Sequence, residues 1–246
     1  MNNNNNDKLE LRSRIDALLD NLIKNFYNDV PFGQHMLNGD DINMEYYKRH
    51  TIETILRIRL KRTVDALAIR YFTKRDPAQA KAWCAYGDEE MLHDAFFVAD
   101  LEKVGVPKHE VYATEPLFST KLMMGYLLYG IEYEESPLAL ISSVYFVEYT
   151  TVKTQPQWIS NLEKVLGKDK LKGARAHVNR DLNDDHDDFV WNVLVSLIKT
   201  PEDEARVIDH IKNVYRLFVA YFIELYQLIV DGKKEQPVEL SVALAV

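Results

Sequence analysis

The sequence predicts an all-α protein, one bundle of about seven to eight helices. Long segments repeat their apolar residues with helical periodicity, and no Asn-Gly or Asp-Gly hairpin sits between alternating strands. Three helix starts are written as a capping side chain before proline: Asp76-Pro77, Ser136-Pro137 and Thr200-Pro201. With 246 residues, 47% of them apolar, the chain can bury one substantial core, and no composition shift marks a second domain.

The elements follow in order. Residues 1–6, "MNNNNN", are a polar tract with nothing to bury and are expected to lack order. A helix is predicted over 8–28, and a long one over 42–73, where Glu53 shares its face with Leu56, Leu60, Val64 and Leu67. The next spans 77–104, opened by Asp76-Pro77 and closed by Gly105 with Pro107. After 118–130 comes 137–154, in which Glu148 lies on the stripe of Ile141, Val144, Tyr145 and Val152. Helices at 157–166 and 169–197 follow, and 201–231 runs from Thr200-Pro201 to Gly232. Residues 233–246 read as a tail.

Charge and cysteine content narrow the function classes. A net charge of −8 and a pI near 5.4 leave no basic stripe to neutralise phosphates, so neither nucleic acid nor an anionic membrane is an expected partner. The most apolar run, Leu217 to Val230, is too short to span a bilayer and contains Glu224 and Gln227; it reads as a buried helix that packs on the core and against a second copy in a homodimer. Cys84 is the only cysteine, so no internal disulfide can form, and no apolar signal segment follows the start; a reducing cytoplasm is the expected home. No G-x-S-x-G elbow or Walker loop occurs.

The informative stretch is "HVNRDLNDDHDDF", 177 to 189. At about 100° per residue, Asp181 and Asp184 fall within about 40° of His177, whereas His186 falls roughly opposite, with Asp185, Asp187 and Asp188 on the solvated side. Taken alone this is a charged helix face. However, "DEEMLHDAFF" places Glu90 and His93 about 60° apart on another helix, and Glu53 and Glu148 each point a carboxylate inward from two more. Singly, each has a plainer reading: Glu53 paired with Arg57 or Arg59, Glu148 bonded to a buried tyrosine, His93 a satisfied core histidine. Together, four helices each aim a carboxylate or imidazole at the core without obvious inward cations, and buried unpaired charge is rare. A shared metal site follows. Its donors, carboxylate and imidazole without thiolate, suit iron or manganese better than structural zinc. Tyr86, Phe96, Tyr145, Tyr149 and Trp191 are aromatic residues that would suit a flat substrate or fill plain core.

This ordered series, Glu53, "DEEMLH", Glu148 and "HVNRD", resembles the haem-oxygenase-like di-iron oxidases and oxygenases, relatives of the thiaminase-II and PQQ-synthesis helical folds. The resemblance runs from about Glu53 to the final helix. It implies a haem-oxygenase-like bundle holding two Fe(II) ions, with O2 as co-substrate, and ligands Glu53, Glu90, His93, Glu148, His177, Asp181 and Asp184. Asp65 competes with Glu53 for the ligand position on its helix. The family's last motif is His-x3-Asp-x2-His, whereas aspartate stands third here; His186 replaces that histidine only if the helix unwinds locally. The implied substrate is a small amino-acid-derived molecule. One family member of similar size and last motif converts a halogenated tryptophan to an indole-3-carbonitrile, which the resemblance extends to this chain. The alternatives are a metal-free thiaminase-II-type enzyme using Cys84, whose thiol otherwise reads as buried and inert, and a non-catalytic helical binding protein.

Overall fold

The computed structural model describes residues 2–40, 42–183 and 186–232. Among the described residues every regular element is a helix: α1 (Asn2–Asp29), α2 (Gln34–Asn38), α3 (Met44–Thr73), α4 (Pro77–Glu90), α5 (Asp94–Lys103), α6 (Lys108–Ala113), α7 (Phe118–Glu132), α8 (Leu138–Leu166), α9 (Lys172–Asn183), α10 (His186–Leu197) and α11 (Pro201–Ile229), with a short 3-10 turn at Lys168–Lys170. Two of the three proline-marked starts hold physically; at the third, α8 begins at Leu138, and Pro137 before it supplies no side-chain cap. The Asp76 carboxylate accepts from Ala78 N and Gln79 N, each at 3.1 Å, and Thr200 with Asp203 closes a capping box on α11.

Several boundaries differ from expectation. The polar N-terminal tract continues α1 from Asn2 rather than standing apart from it. Pro156 does not end a helix: α8 runs through it, because Trp158, Ile159 and Leu162 beyond the proline are buried and hold the second half against its neighbours. Conversely, the span 77–104 divides in two at the site described below, while within 169–197 helix is described over Lys172–Asn183 and His186–Leu197. The expected tail at 233–246 lies outside the described residues.

α3 packs on α4, α5 and α7, while α8 packs on α9, α10 and α11. The main core joins Ile15, Leu19, Phe72, Trp83, Leu127, Leu140, Ile141 and Tyr145. α3 and α8 themselves meet only briefly, and between them lies a cavity of about 580 Å³. Large exposed apolar side chains gather on α7 and at its end, at Phe118, Leu122, Tyr129 and Tyr133, rather than along the final helix, at whose end Val230 alone is of this kind among the described residues.

Candidate metal centre

Glu90 closes α4, and the chain then tightens into i to i+3 bonds, His93 N to Glu90 O at 3.2 Å, Ala95 N to Leu92 O at 3.0 Å and Phe96 N to His93 O at 3.2 Å, before α5 begins. In such a turn residues three apart eclipse one another instead of standing about 60° apart. The tightening sets Glu90 Oε1 3.0 Å from His93 Nδ1. Met91 and Leu92, in the same turn, are pushed to the surface.

The partner helix is docked by a carboxylate. Asp100 of α5, fully buried, accepts from Gly173 N at 3.0 Å and Ala174 N at 2.7 Å, satisfying amides at the start of α9 and opposing its dipole. Gly173 lies so close that a Cβ there would collide with the Phe96 carbonyl. This contact sets the distance between α5 and α9, and the rings of His93 and His177 end 4.8 Å apart.

Two triads result. Glu90, His93 and His177 each offer a donor atom within 4.8 Å of the others, and so do Glu90, Glu148 and His186. Glu90 belongs to both. Tyr86 donates to Glu148 Oε1 at 2.7 Å and so orients that carboxylate from outside. Burial would raise the Glu90 carboxyl, but His93, Lys61 and His177 together hold it below its ordinary range, so it stays ionised. The Tyr86 phenol is driven well up by burial and then by the charges of Glu148, Glu90 and Asp65; it remains protonated.

The atoms left over test whether a cation fits. His93 Nδ1, both ring nitrogens of His186 and Asp65 Oδ1 are buried without a well-formed hydrogen bond, although His93 Nδ1 lies 3.0 Å from Glu90 Oε1 and the His186 nitrogens 3.3 and 3.9 Å from carboxylates of Glu89 and Glu148. Buried polar atoms are almost always satisfied, and imidazole nitrogens set against carboxylates without a well-formed hydrogen bond are what a bound cation would join. The residues present fit a metal.

Glu90, His93, Glu148 and His177 of the expected ligands are therefore brought together. Glu53 is not among them. Its carboxylate accepts from Leu117 N at 3.1 Å and Thr120 Oγ1 at 2.6 Å and pairs with Arg49 at 2.7 Å, so it neutralises the start of α7. Asp65, twelve residues and about 18 Å further along α3, lies instead in the wall that also carries Glu90, Glu148 and His177, paired with Lys61 at 2.8 Å through its other oxygen. Asp181 sits on α9 with its side chain outside the described residues, and Asp184 lies outside them altogether. His186 is corrected from outward to inward: its ring is buried, 3.9 Å from Glu148 Oε2 and 3.3 Å from Glu89 Oε2. Cys84 is exposed rather than buried, and makes no hydrogen bond or ion pair to a base among the described residues. Of the aromatic residues singled out above, Tyr86 lines the cavity, whereas Tyr145 and Trp191 fill core and the Tyr149 hydroxyl donates to Asp20 at 3.0 Å.

Solved structures share this architecture. A domain of unknown function with a haem oxygenase-like fold from Shewanella denitrificans superposes with a TM-score of 0.73, 21% identity, and coverage of 93% of this chain and 97% of that one. The fold is haem-oxygenase-like. A TenA homologue from P. horikoshii (TM-score 0.68, 13% identity, 88% and 98% covered) and a cadd-like protein of unknown function from Nostoc punctiforme (0.58, 16%, 91% and 99%) share the haem-oxygenase-like arrangement. No protein-family model matches the sequence, and no curated protein matches it. No helix among the described residues is long and apolar enough to cross a membrane.

Proposed function

We propose that the protein is a non-haem di-iron oxidoreductase that uses O2 to oxidise a small organic molecule. The observation that carries this reading is the pair of Glu/His triads sharing Glu90, with imidazole nitrogens that lack a well-formed hydrogen bond, beside a largely apolar cavity. Glu90, His93 and His177 would hold one ion and Glu90, Glu148 and His186 the other, with Asp65 next in line. Two ferrous ions, when bound, would supply the electrons that activate O2. The chain's own side chains prepare the site: Tyr86 fixes Glu148, Lys61 offsets the negative charge of Asp65, and Phe97, Met123, Met124 and Leu127 keep bulk water from the cavity. The volume, about 580 Å³, takes a molecule of amino-acid or small aromatic size. An amino-acid-derived substrate is our reading, with conversion of a halogenated tryptophan to an indole-3-carbonitrile as its specific form.

The test is anaerobic loading with Fe(II), then O2 with a panel of amino acids including halogenated tryptophans, followed by mass spectrometry. O2-dependent product that is lost in Glu90→Ala and retained in Cys84→Ser supports the proposal. The TenA-type neighbour favours a second reading, a metal-free thiaminase-II-type enzyme in which Cys84, at the cavity rim, is the nucleophile. Activity in chelator-treated protein, abolished by Cys84→Ser, would establish that reading instead.

A further inference from the structure

Four lysine and arginine side chains line the cavity: Arg57, Lys61, Arg62 and Lys153. Three have carboxylates. Lys61 pairs with Asp65 at 2.8 Å, Arg62 with Asp94 at 2.6 Å, and Lys153 with Asp20 at 3.6 Å. Arg57 makes no ion pair among the described residues. Its Nη1 is buried with no partner, Nη2 donates to Thr54 Oγ1 at 3.1 Å, and the guanidinium lies 4.2 Å over the Tyr221 ring and also interacts with the Tyr221 hydroxyl. Stacking and these contacts hold the planar fork in place and leave its Nη1 without a partner. A half-buried guanidinium with an idle edge is costly unless an anion completes it.

We propose that Arg57 is the binding residue for the anionic head of an elongated organic acid, a carboxylate whose apolar body extends through the cavity toward Glu90. Such an acid would meet the site at its far end and is a ligand distinct from a tryptophan, whose reacting carbons adjoin its carboxylate. A planar head with two oxygens matches the fork, and a single unpaired cation calls for a monoanion rather than a phosphate dianion. Neighbouring groups do not compete for it. His50, which accepts or donates at 2.8 Å with the Tyr221 hydroxyl, has its pKa pushed down to about 3 by burial and then by Arg57 and His35, so it stays neutral and leaves Arg57 the positive pole. The negative pole is at the other end, where Asp65, Glu90 and Glu148 gather. Eight residues along α3 separate Arg57 from Asp65, roughly 12 Å, which sets the spacing between the carboxylate and the ligand's far end. Phe218, Phe222 and Phe146 flank the path. The acid's orientation rests on the di-iron reading of the site; the binding of its head does not.

Calorimetric titration of the chelator-treated full chain tests this, with 6-phenylhexanoate as the probe, 6-phenylhexan-1-ol as its uncharged counterpart, and acetate as a head without a body. Wild type should bind the acid about 10- to 100-fold tighter than the alcohol, and acetate far more weakly than either. Arg57→Gln should bind acid and alcohol alike with unchanged circular dichroism, and Arg57→Lys should recover part of the preference. Equal binding of acid and alcohol by wild type, absence of acid binding at millimolar concentration, or a preference retained in Arg57→Gln would each overturn the proposal. Because the protein is metal-free throughout, these results stand apart from iron binding, and a failure of iron binding would leave them unaffected.

Discussion

Two carboxylates on α3 make opposite predictions. Replacing Glu53 with alanine strands the buried Leu117 N–H and Thr120 hydroxyl and deprives Arg49 of its partner. Each buried group left unpaired costs about 1–3 kcal/mol, so the first two account for roughly 2–6 kcal/mol. Arg49 keeps 19% of its side chain exposed and can turn to water, so it adds little, while removal of the buried Glu53 charge gives some of the cost back. A net loss of about 3–4 kcal/mol is expected, or roughly 6–16 °C in Tm for a chain of this size. Asp65→Ala behaves differently. One of its oxygens is already unpartnered and Lys61 can reach solvent, so stability should move by no more than about 1 kcal/mol, while bound metal weakens by about 10- to 100-fold. Thermal unfolding followed by circular dichroism, alongside iron content by mass spectrometry, measures both. Loss of iron from Glu53→Ala at unchanged Tm would refute the assignment of Glu53 to the start of α7.

Two more expectations concern positioning and acid. Gly173→Ala should force α9 off α5, lowering stability by about 2–4 kcal/mol and weakening iron binding through His177; a fully stable variant with normal iron content would show that the Phe96 contact does not set the spacing. His50, His35 and His210 have lowered pKa values, each chiefly through burial, so the folded state binds fewer protons than the unfolded chain at mildly acid pH. The resulting stability is complete above the unfolded value near 6.5 and is lost as pH falls toward 3. For His50 the loss is at most about 2 kcal/mol at pH 5, reduced by the water that reaches its partly exposed ring. Urea midpoints measured from pH 7.5 to 5 should fall, and the fall should be shallower in His50→Gln; a midpoint that rises toward pH 5 would contradict the sign.

Periodicity was enough to reveal the helical class and the inward faces of Glu148 and His177, because both lie in unbroken helix where 3.6 residues per turn applies. It was misleading at His186. Carrying the phase of His177 forward turns His186 outward, whereas its ring is buried against the carboxylates of Glu89 and Glu148. Glu53 shows a second limit: periodicity tells that a carboxylate points inward, but not that the start of α7 waits there to bind it. Asp100 and Arg57 were invisible for the same reason, since a docking cap and an unpaired cation are defined by partners distant in the chain. The 3-10 turn at Glu90 and His93 carries neither glycine nor proline to announce it.

Anaerobic titration with Fe(II), read by calorimetry and confirmed by Mössbauer spectroscopy, bears most directly on the shared carboxylate. Wild type should take up two ions per chain, His186→Ala should retain one, and Glu90→Ala should weaken both. Wild-type protein that binds no iron, or a Glu90→Ala variant that still holds two ions with wild-type affinity, would contradict a dinuclear centre built around Glu90.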